Sequence, residues 1–379
     1  MSDVLIFADT VRSAELRHEV PTTVIDPILY LERDGVRHLV APASELPIIE
    51  KVGEYVFHTP DEYGLDELRR TMPSAAELLD EIVVRAVRAI GVERAVVPDS
   101  FPVLTADRLR AAGVELVPDR ATFTERRRSK SPAELAGIRR AQAAAEAGMA
   151  VVRDLLRQAV VVGDGLLESE GRPLTSEVLQ TAVAAAFLEN GASADVFVVS
   201  HGPQTAIGHH LGEGQLRAGE SIVVDLWPRD TESACFADMS RTFVVGDPPA
   251  ELAEWHRLCR EWHEVALAAI RPGVTARSVY DAVCDQVEAA GFPTQRTKDE
   301  GKPLEEGFLY ALGHGVGLEV HEEPILGMLG NTPLVAGDVL AVEPGLYRPN
   351  AYGLRIEDLV LVTKDGYENL TRFPYELAP

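Results

Sequence analysis

Short runs of apolar, β-forming residues alternate with helical stretches through the first 125 residues of the chain. The strand-like runs are VLIFA, HLVAP, RAVVPD and VELVP, and a helical stretch at Ala75–Ile90 separates them. Strands that alternate with helices are typical of α/β architecture. The sequence therefore predicts a separate amino-terminal α/β domain over residues 1–125.

A basic run followed by a helix start marks the predicted domain boundary. Residues 126–130 read RRRSK, and they precede Ser131, Pro132 and Glu134. These three residue types suit an N-cap, a first helical position and a capping-box acid. We expect a long helix to about Gln158 that opens a second domain, residues 126–379. We interpret the basic run as a solvated linker, with a functional role as the alternative.

The second domain repeats one order of elements, helices followed by strands. The predicted helices are 176–190, 251–270 and 276–290, and the predicted strands are 196–200, 222–227, 235–245 and segments near Ala311, Ala341 and Ile356. This order indicates an internal pseudo-repeat with a functional site between its halves, although the two halves show no direct sequence similarity.

Four carboxylates and one imidazole stand out because each lies in or beside an apolar strand-like segment. They are Asp225, Asp238, His314, Glu343 and Glu357. Burying four carboxylates is costly without compensating positive charge. Two divalent cations supply that charge, since four negative charges balance two doubly charged ions. The pattern therefore predicts a dinuclear metal site.

A predicted β-hairpin brings two of these carboxylates together. Asp225 and Asp238 flank a segment with Pro228, Arg229 and Asp230 near its turn. Carboxylates that bridge two metals about 3.5–4 Å apart are typical of hydrolytic sites. Oxygen donors with a single nitrogen favour manganese, and cobalt and zinc remain alternatives.

Composition excludes some function classes. The net charge of −24 argues against a nucleic-acid partner. We find no signal-peptide pattern and no apolar run near the ~20 residues that a membrane span requires. Cys235, Cys259 and Cys284 show no CxxC spacing and fit a reducing compartment. We expect a cytoplasmic protein without a membrane or nucleic-acid partner.

Glycines surround the histidine of the predicted site. Gly313, Gly315 and Gly317 flank His314, and they indicate either close approach to a ligand or a bulge in a strand. The segment is not a dinucleotide fingerprint, since no G-x-G-x-x-G opens a helix there. The chain also has no phosphate loop, H-E-x-x-H motif or G-x-S-x-G turn.

Five motifs in order carry a resemblance to a known family. They are GPQTAIGHH, D-(x12)-D followed by SRTF, GHGVGLEVHEEP, EPGLY and RIED. Residues 129–375 resemble the pita-bread metallopeptidases, which include prolidase, aminopeptidase P, methionine aminopeptidase and the metal-free creatinase. The resemblance implies a small creatinase-like α/β amino-terminal domain and a pita-bread α+β catalytic domain with pseudo-twofold halves.

The resemblance assigns roles to the five candidate ligands. It implies that all five bind two metals, with Asp238 and Glu357 bridging them. Glu343 would also accept the proton of the attacking water. The implied reaction is attack by a hydroxide that the two metals share.

The resemblance also implies roles for three further residues. His209 and His321 would contact the substrate and stabilise the tetrahedral intermediate, although His209 and its neighbour His210 are also plausible as ordinary loop histidines. Arg355 would orient Glu357 or the carboxyl end of the substrate, with a plain salt bridge as the alternative. We expect these aromatic residues to be packing residues: Trp227, Trp255, Trp262, Tyr310 and Tyr347.

Two positions depart from the family pattern. Trp227 stands where many relatives carry glycine, and this ring would narrow the pocket. Ile325 stands where many dipeptidase members carry arginine, which removes an expected clamp for a substrate carboxylate. The 14-position step from Glu343 to Glu357 nevertheless resembles prolidases more than the usual aminopeptidase P.

Together these features predict a dinuclear-metal exopeptidase that removes an amino-terminal residue preceding proline, as an Xaa-Pro dipeptidase or Xaa-Pro aminopeptidase. The expected partner is a small peptide with proline second, and the resemblance implies a homodimer. Three alternatives remain: a metal-dependent hydrolase of a non-proline amide or ester, a creatinase-like amidinohydrolase, and a non-catalytic binding paralogue.

Overall fold

The computed structural model describes residues 3–379 and divides into two compact units. The first unit ends at Arg127, and the second spans Arg128–Pro379. The sequence predicts the boundary two residues earlier, after residue 125. No helix among the described residues is both long and apolar enough to cross a bilayer.

The first unit is a six-stranded sheet with helices. Its strands are β1 (Asp3–Ala8), β2 (Ile28–Arg33), β3 (Val36–Val40), β4 (Val56–His58), β5 (Arg94–Val97) and β6 (Glu115–Pro118), in the order β4-β3-β2-β1-β5-β6. Its helices are α1 (Ala14–Glu19), α2 (Leu46–Ile49), α3 (Leu65–Thr71), α4 (Ala75–Ile90), α5 (Val103–Ala111) and α6 (Arg120–Arg128), with a 3-10 turn at Pro60–Tyr63. The sequence analysis did not identify β2 or β4.

Both faces of this sheet are buried. Successive side chains of a strand point to opposite faces. Leu5 accordingly packs in one apolar cluster, and its neighbours Val4 and Ile6 pack in another. Such two-sided burial explains why the strands appear as continuous apolar runs without polar alternation.

The second unit contains four helices and several sheets. The helices are α7 (Pro132–Gln158), α8 (Ser176–Glu189), α9 (Ala250–Ala269) and α10 (Ala276–Ala289), with 3-10 turns at Gly163–Gly165 and Gly202–Ala206. The strands are β7 (Val160–Val161), β8 (Leu167–Ser169), β9 (Arg172–Pro173), β10 (Ala192–Ser193), β11 (Val198–His201), β12 (Ile222–Leu226), β13 (Arg229–Asp230), β14 (Met239–Phe243), β15 (Gly313–Gly315), β16 (Glu322–Leu326), β17 (Val339–Val342), β18 (Gly345–Arg348), β19 (Tyr352–Arg355), β20 (Asp358–Val362) and β21 (Tyr367–Asn369).

Two of these sheets follow the predicted repeat of helices and then strands. After α7 and α8 comes the sheet β11-β12-β14, and after α9 and α10 comes the sheet β16-β15-β17-β20-β21. Ile356, which the sequence places in a strand, lies between β19 and β20. The two sheets carry the residues discussed below.

The start of α7 has the predicted capping box. The Ser131 hydroxyl accepts a hydrogen bond from the Glu134 amide at 3.2 Å, and the Glu134 carboxylate accepts one from the Ser131 amide at 2.7 Å. Each side chain therefore satisfies a backbone donor that the first turn leaves free.

The solvated linker predicted for the basic run is wrong. Arg126 and Arg128 lie in α6, and the side chains of Arg128 and Lys130 are each only 4% exposed. Arg128 donates to both carboxylate oxygens of Asp338, at 2.9 and 2.7 Å, and Lys130 pairs with Glu322. The sequence shows the run of basic residues, but it does not show that buried carboxylates distant in the chain pair with Arg128 and Lys130.

We predict that Arg128→Met destabilises the protein by about 3–5 kcal/mol, because Asp338 is left as an uncompensated buried charge. Arg139→Met is the matched control. Arg139 also binds a carboxylate through two hydrogen bonds, to Glu368, but that pair is exposed and its loss should cost about 0–1 kcal/mol. Urea denaturation measures both, and equal losses would contradict the prediction.

Candidate metal centre

In the first half of the second unit, antiparallel strand pairing places two carboxylates side by side. Asp225 in β12 lies opposite Ser240 in β14, and Asp238 immediately precedes β14. The predicted hairpin pairing is therefore present. Arg229 and Asp230 form β13, which pairs with β10, and they also lie beside the turn as predicted, since the Asp230 amide donates to the Cys235 carbonyl at 2.8 Å.

In the second half, neighbouring strand positions bring three more ligand candidates together. His314 is the middle residue of β15 and pairs with Ala341 in β17. Glu343 directly follows β17, and Glu357 directly precedes β20. Because β17 pairs with both β15 and β20, all three residues meet at one end of this sheet.

The two halves are joined directly behind these residues. The Glu357 amide donates to the Ser240 carbonyl at 3.1 Å. The buried Arg241 guanidinium donates to the carbonyls of Ser240 and Glu357, at 2.8 and 2.7 Å, and to the Asp358 carboxylate at 2.8 Å. One arginine of the SRTF segment thus fixes backbone on both sides of the site, a role that the sequence analysis missed.

All eight predicted site residues line one cavity of about 340 Å³. They are Asp225, Asp238, His314, Glu343, Glu357, His209, His321 and Arg355. The remaining walls are apolar or aromatic and include Trp227, Tyr310 and Ile325. A cavity of this size with a few convergent polar groups is typical of a small-molecule site.

The donor set fits a metal. Donor atoms of Asp238, His314 and Glu357 all lie within 4.8 Å of one another, and all three residues are buried. One oxygen each of Asp225, Asp238 and Glu357 is buried without a hydrogen-bond partner. Buried oxygens are rarely left unsatisfied, so coordination to a cation is the natural use of these atoms.

Without a bound cation, burial and mutual repulsion disfavour the ionised form of the carboxyl groups in this cavity. Burial, followed by the charges of Asp225 and Glu343, raises the pKa of Asp238 well above its usual value. Burial, followed by the charges of Asp238 and Asp225, does the same to the pKa of Glu357. Burial also raises the pKa of Glu343 and lowers the pKa of His314. These shifts follow from desolvation and from like charges in one site.

Arg355 is the permanently charged cation among the described residues that line the cavity. It donates to Asp225 at 2.6 Å and to the Tyr347 hydroxyl at 2.9 Å, and it lies 3.5 Å from the Glu343 carboxylate. The sequence predicts that Arg355 orients Glu357 or the carboxyl end of the substrate. The hydrogen bonds to Asp225 and Tyr347 match the alternative that Arg355 forms a plain salt bridge, and none of them joins Arg355 to Glu357.

The two substrate-contact candidates lie at the exposed side of the cavity. His321 packs edge-on against His314, with ring centroids 4.5 Å apart, and burial lowers its pKa. His209 lines the cavity, whereas the ring of His210 accepts a hydrogen bond from the Gly212 amide. The structure thus distinguishes the two neighbouring histidines.

Hydrogen bonds and ion pairs hold the segments that carry these histidines. The Glu322 carboxylate accepts from the amides of Leu318 and Glu319, at 2.9 and 3.2 Å, and pairs with Lys130. Upstream of His209, the Thr205 hydroxyl accepts from the Gly353 amide at 2.7 Å. Residues that fix a loop in this way limit how far its functional side chain can move.

The glycines around His314 serve strand packing. A Cβ atom on Gly313 would lie 1.9 Å from the backbone carbonyl oxygen of Ala341, and a Cβ atom on Gly315 would lie 2.4 Å from the backbone carbonyl oxygen of Glu323. The register also shifts between Gly313 and Gly315, as in a bulge. The register shift supports the interpretation as a bulge, and Gly313 also lines the cavity, so close approach to a ligand stays a prediction.

Two aromatic residues expected in packing roles line the cavity instead. Trp227 and Tyr310 both contribute to its wall, whereas Trp255 and Trp262 are buried in the core. Tyr347 packs as expected and also binds Arg355. The glycine-to-tryptophan departure was a sequence signal for Trp227, but we find no such signal for Tyr310.

Comparison with known proteins identifies the family. Residues 136–364 match the sequence profile of metallopeptidase family M24. The chain belongs to this family. The chain is 36% identical over 197 residues to the probable dipeptidase PepE of Mycobacterium tuberculosis, covering 52% of this chain and 49% of that protein. It is 32% identical over 191 residues to the Xaa-Pro dipeptidase of Pyrococcus furiosus, covering 50% and 51%. The matches thus span about half of each relative.

Solved structures show the same fold along the whole chain. The prolidase from Pyrococcus horikoshii OT3 aligns with a TM-score of 0.78 at 22% identity, covering 100% of this chain and 95% of that one. Dipeptidase PepE from Mycobacterium ulcerans aligns with a TM-score of 0.75 at 26% identity, covering 100% and 93%. These comparisons confirm the predicted pita-bread fold and the M24 metallopeptidase family.

The raised carboxyl pKa values predict a pH dependence for the metal-free M24 chain. Below about pH 4, the folded and unfolded states both hold these protons. As the pH rises towards the raised folded pKa values, the unfolded state releases protons that Asp238 and Glu357 retain, so stability falls.

Thermal melts in EDTA at pH 5 and pH 8 measure this effect. From pH 5 to pH 8, the wild type should lose more stability than Glu357→Gln. A difference of about 1 kcal/mol in unfolding free energy corresponds to a shift of roughly 2–4 °C in melting temperature. Added Mn²⁺ should restore the wild type at pH 8 and restore the variant much less. The same change in melting temperature between pH 5 and pH 8 for both proteins would contradict the assignment of Glu357 to the acidic cluster.

Proposed function

We propose that this chain is a metal-dependent exopeptidase that cleaves the bond between an amino-terminal residue and a following proline. The observation that carries the proposal is the convergence of four carboxylates and one imidazole in a single cavity, with three of the carboxylate oxygens unpartnered. Membership of family M24 supports the metallopeptidase class, and the name of the Pyrococcus furiosus relative supports the Xaa-Pro bond.

The five residues would hold two divalent ions, and the donor atoms of Asp238, His314 and Glu357 lie close enough to share one of them. The mainly oxygen donor set favours Mn²⁺, with Co²⁺ and Zn²⁺ as alternatives. When bound, such ions neutralise the carboxylates, polarise the scissile carbonyl and lower the pKa of the attacking water.

Three residues of the chain would handle protons and developing charge. Glu343 is the least buried of the four carboxylates, so it can exchange a proton with water in the cavity. His209 and His321 line the exposed side, where they can donate hydrogen bonds to the oxygen that gains negative charge. Arg355 would hold Asp225 in place rather than bind the substrate.

Proline suits such a site because its peptide nitrogen carries no hydrogen. A site that depends on a hydrogen bond from that nitrogen fails with proline, whereas a site that acts on the carbonyl does not. The apolar walls that Trp227 and Ile325 contribute can pack against the pyrrolidine ring.

One observation favours a second candidate. Trp227 lines the cavity at a position where the family resemblance leads us to expect glycine, and this ring can select a different amide or an ester. A metal-dependent hydrolase of a non-proline amide on the same residues is therefore the alternative. Homodimerisation is a further proposal that rests on the resemblance alone, and size-exclusion chromatography with light scattering tests it.

To test this proposal, purified Mn²⁺-loaded protein is assayed for hydrolysis of several Xaa-Pro dipeptides and one Xaa-Pro-Xaa tripeptide. Matched Xaa-Ala peptides are the controls. We expect cleavage of the proline peptides and its loss in EDTA. Cleavage of only the Xaa-Ala peptides would favour the alternative. No cleavage of any peptide, with metal bound, would refute the exopeptidase assignment.

We also predict that His209→Gln lowers kcat/KM by about 10²-fold, the usual effect of removing a donor to a developing oxyanion. His210→Gln is the matched control, because that neighbour does not line the cavity, and we expect at most a small change. Circular dichroism verifies that both variants fold. Similar losses in the two variants would argue against a role for His209 in the reaction.

A further inference from the structure

A second cavity adjoins the proposed active site. It measures about 290 Å³ and shares Tyr310, Ala311 and Ile325 with the first cavity. A ligand that leaves the carboxylate cluster past these three residues enters the second cavity. Tyr310 is fixed at the junction, since its ring packs edge-on against Tyr347 at 5.1 Å.

The outer wall of the second cavity is apolar and exposed. Met328 is 42% exposed and Leu329 is 89% exposed. Their backbone is held in place, because the Arg277 side chain donates to the Met328 carbonyl at 3.2 Å and the Asn331 amide donates to the Leu329 carbonyl at 2.8 Å. Because these two side chains belong to the lining of the second cavity, a ligand that occupies this cavity would cover part of their apolar surface.

The charges of the two cavities disfavour a free carboxylate there. Among the described residues that line the second cavity, none is cationic, and Glu323 adds a negative charge. In the first cavity, the Arg355 guanidinium is already paired with Asp225. A terminal carboxylate that reached the second cavity would therefore find no cation among the described residues of its lining, and it would meet Glu323.

The direction of the substrate follows from the exopeptidase reaction, so this step rests on the proposed function. Only one residue lies before the scissile bond, so that residue occupies the first cavity beside the carboxylate cluster. The rest of the peptide must run outwards. The second cavity, which continues from the first through Ile325, is placed to receive it.

We propose that the second cavity is a subsite for an apolar residue that follows proline, so that the preferred substrate is a peptide of three or more residues. Ile325 and Leu329 would contact that side chain. The continuing peptide bond replaces the charged carboxylate that a dipeptide would bring near Glu323.

A substrate series tests the subsite with the Mn²⁺-loaded protein. We expect kcat/KM for Ala-Pro-Leu to exceed those for Ala-Pro and Ala-Pro-Asp by about tenfold or more, a usual gain for filling an apolar pocket. Both tripeptides are used as carboxyl-terminal amides, so that neither brings a free terminal carboxylate near Glu323. Equal rates for Ala-Pro and Ala-Pro-Leu would overturn the subsite alone. Hydrolysis of none of the three peptides would overturn the exopeptidase function and the subsite with it.

Substitutions in the wall of the second cavity test whether its residues determine the preference for Ala-Pro-Leu. Replacing Met328 and Leu329 together by Ser should lower kcat/KM for Ala-Pro-Leu by about tenfold and leave that for Ala-Pro nearly unchanged. Leu188→Ser is the control, because this leucine is also exposed but lines neither cavity. Ile325→Arg should shift the preference towards Ala-Pro, since it adds a cation for the dipeptide carboxylate. Equal effects of the double variant on both peptides would overturn the subsite.

Calorimetric titration with the product Pro-Leu and with Pro-Asp, both as carboxyl-terminal amides, gives a readout without turnover. The wild type should bind Pro-Leu more tightly than Pro-Asp, and the double variant should lose this difference. The same affinity for the two dipeptides in the wild type would contradict the proposed subsite.

Discussion

Mutual repulsion among buried carboxylates is the constraint on which the rest of this site depends. Asp238 and Glu357 lie with His314 at the junction of two sheets, and buried oxygens of both carboxylates have no hydrogen-bond partner. Arg355 neutralises part of the charge but is itself occupied by Asp225. An arrangement that costs folding energy in this way persists where it serves a function, and paired cations would turn that cost into binding energy.

The fold holds this arrangement with backbone that is fixed from behind. The ligand candidates lie at or beside strand ends, and Arg241 bonds to the carbonyls of Ser240 and Glu357 across the junction. The carboxylates therefore cannot separate by a local shift of one strand without breaking buried hydrogen bonds. Rigid strands position the ligands, whereas His209 and His321 belong to connecting segments, a division of labour that is common in enzymes.

The amino-acid pattern predicted the local features well. Ser131, Pro132 and Glu134 predicted the start of α7, and the antiparallel strands beside Asp225 and Asp238 are present because apolar runs with turn residues between them specify hairpins locally. The misses at the domain boundary and at the cavity share one cause, which is contact between residues far apart in the chain. Arg128 appeared to be a linker residue because Asp338, its buried partner, lies 210 positions away. The cavity-lining role of Tyr310 has the same origin.

Metal binding itself tests the central claim most directly. Metal-depleted protein, titrated with Mn²⁺ by equilibrium dialysis and elemental analysis, should bind two ions per chain. Replacing both bridging candidates, as Asp238→Asn with Glu357→Gln, should abolish this binding and leave the chain folded. Binding of fewer than two ions by the folded wild type, or unchanged binding by the double variant, would contradict the account.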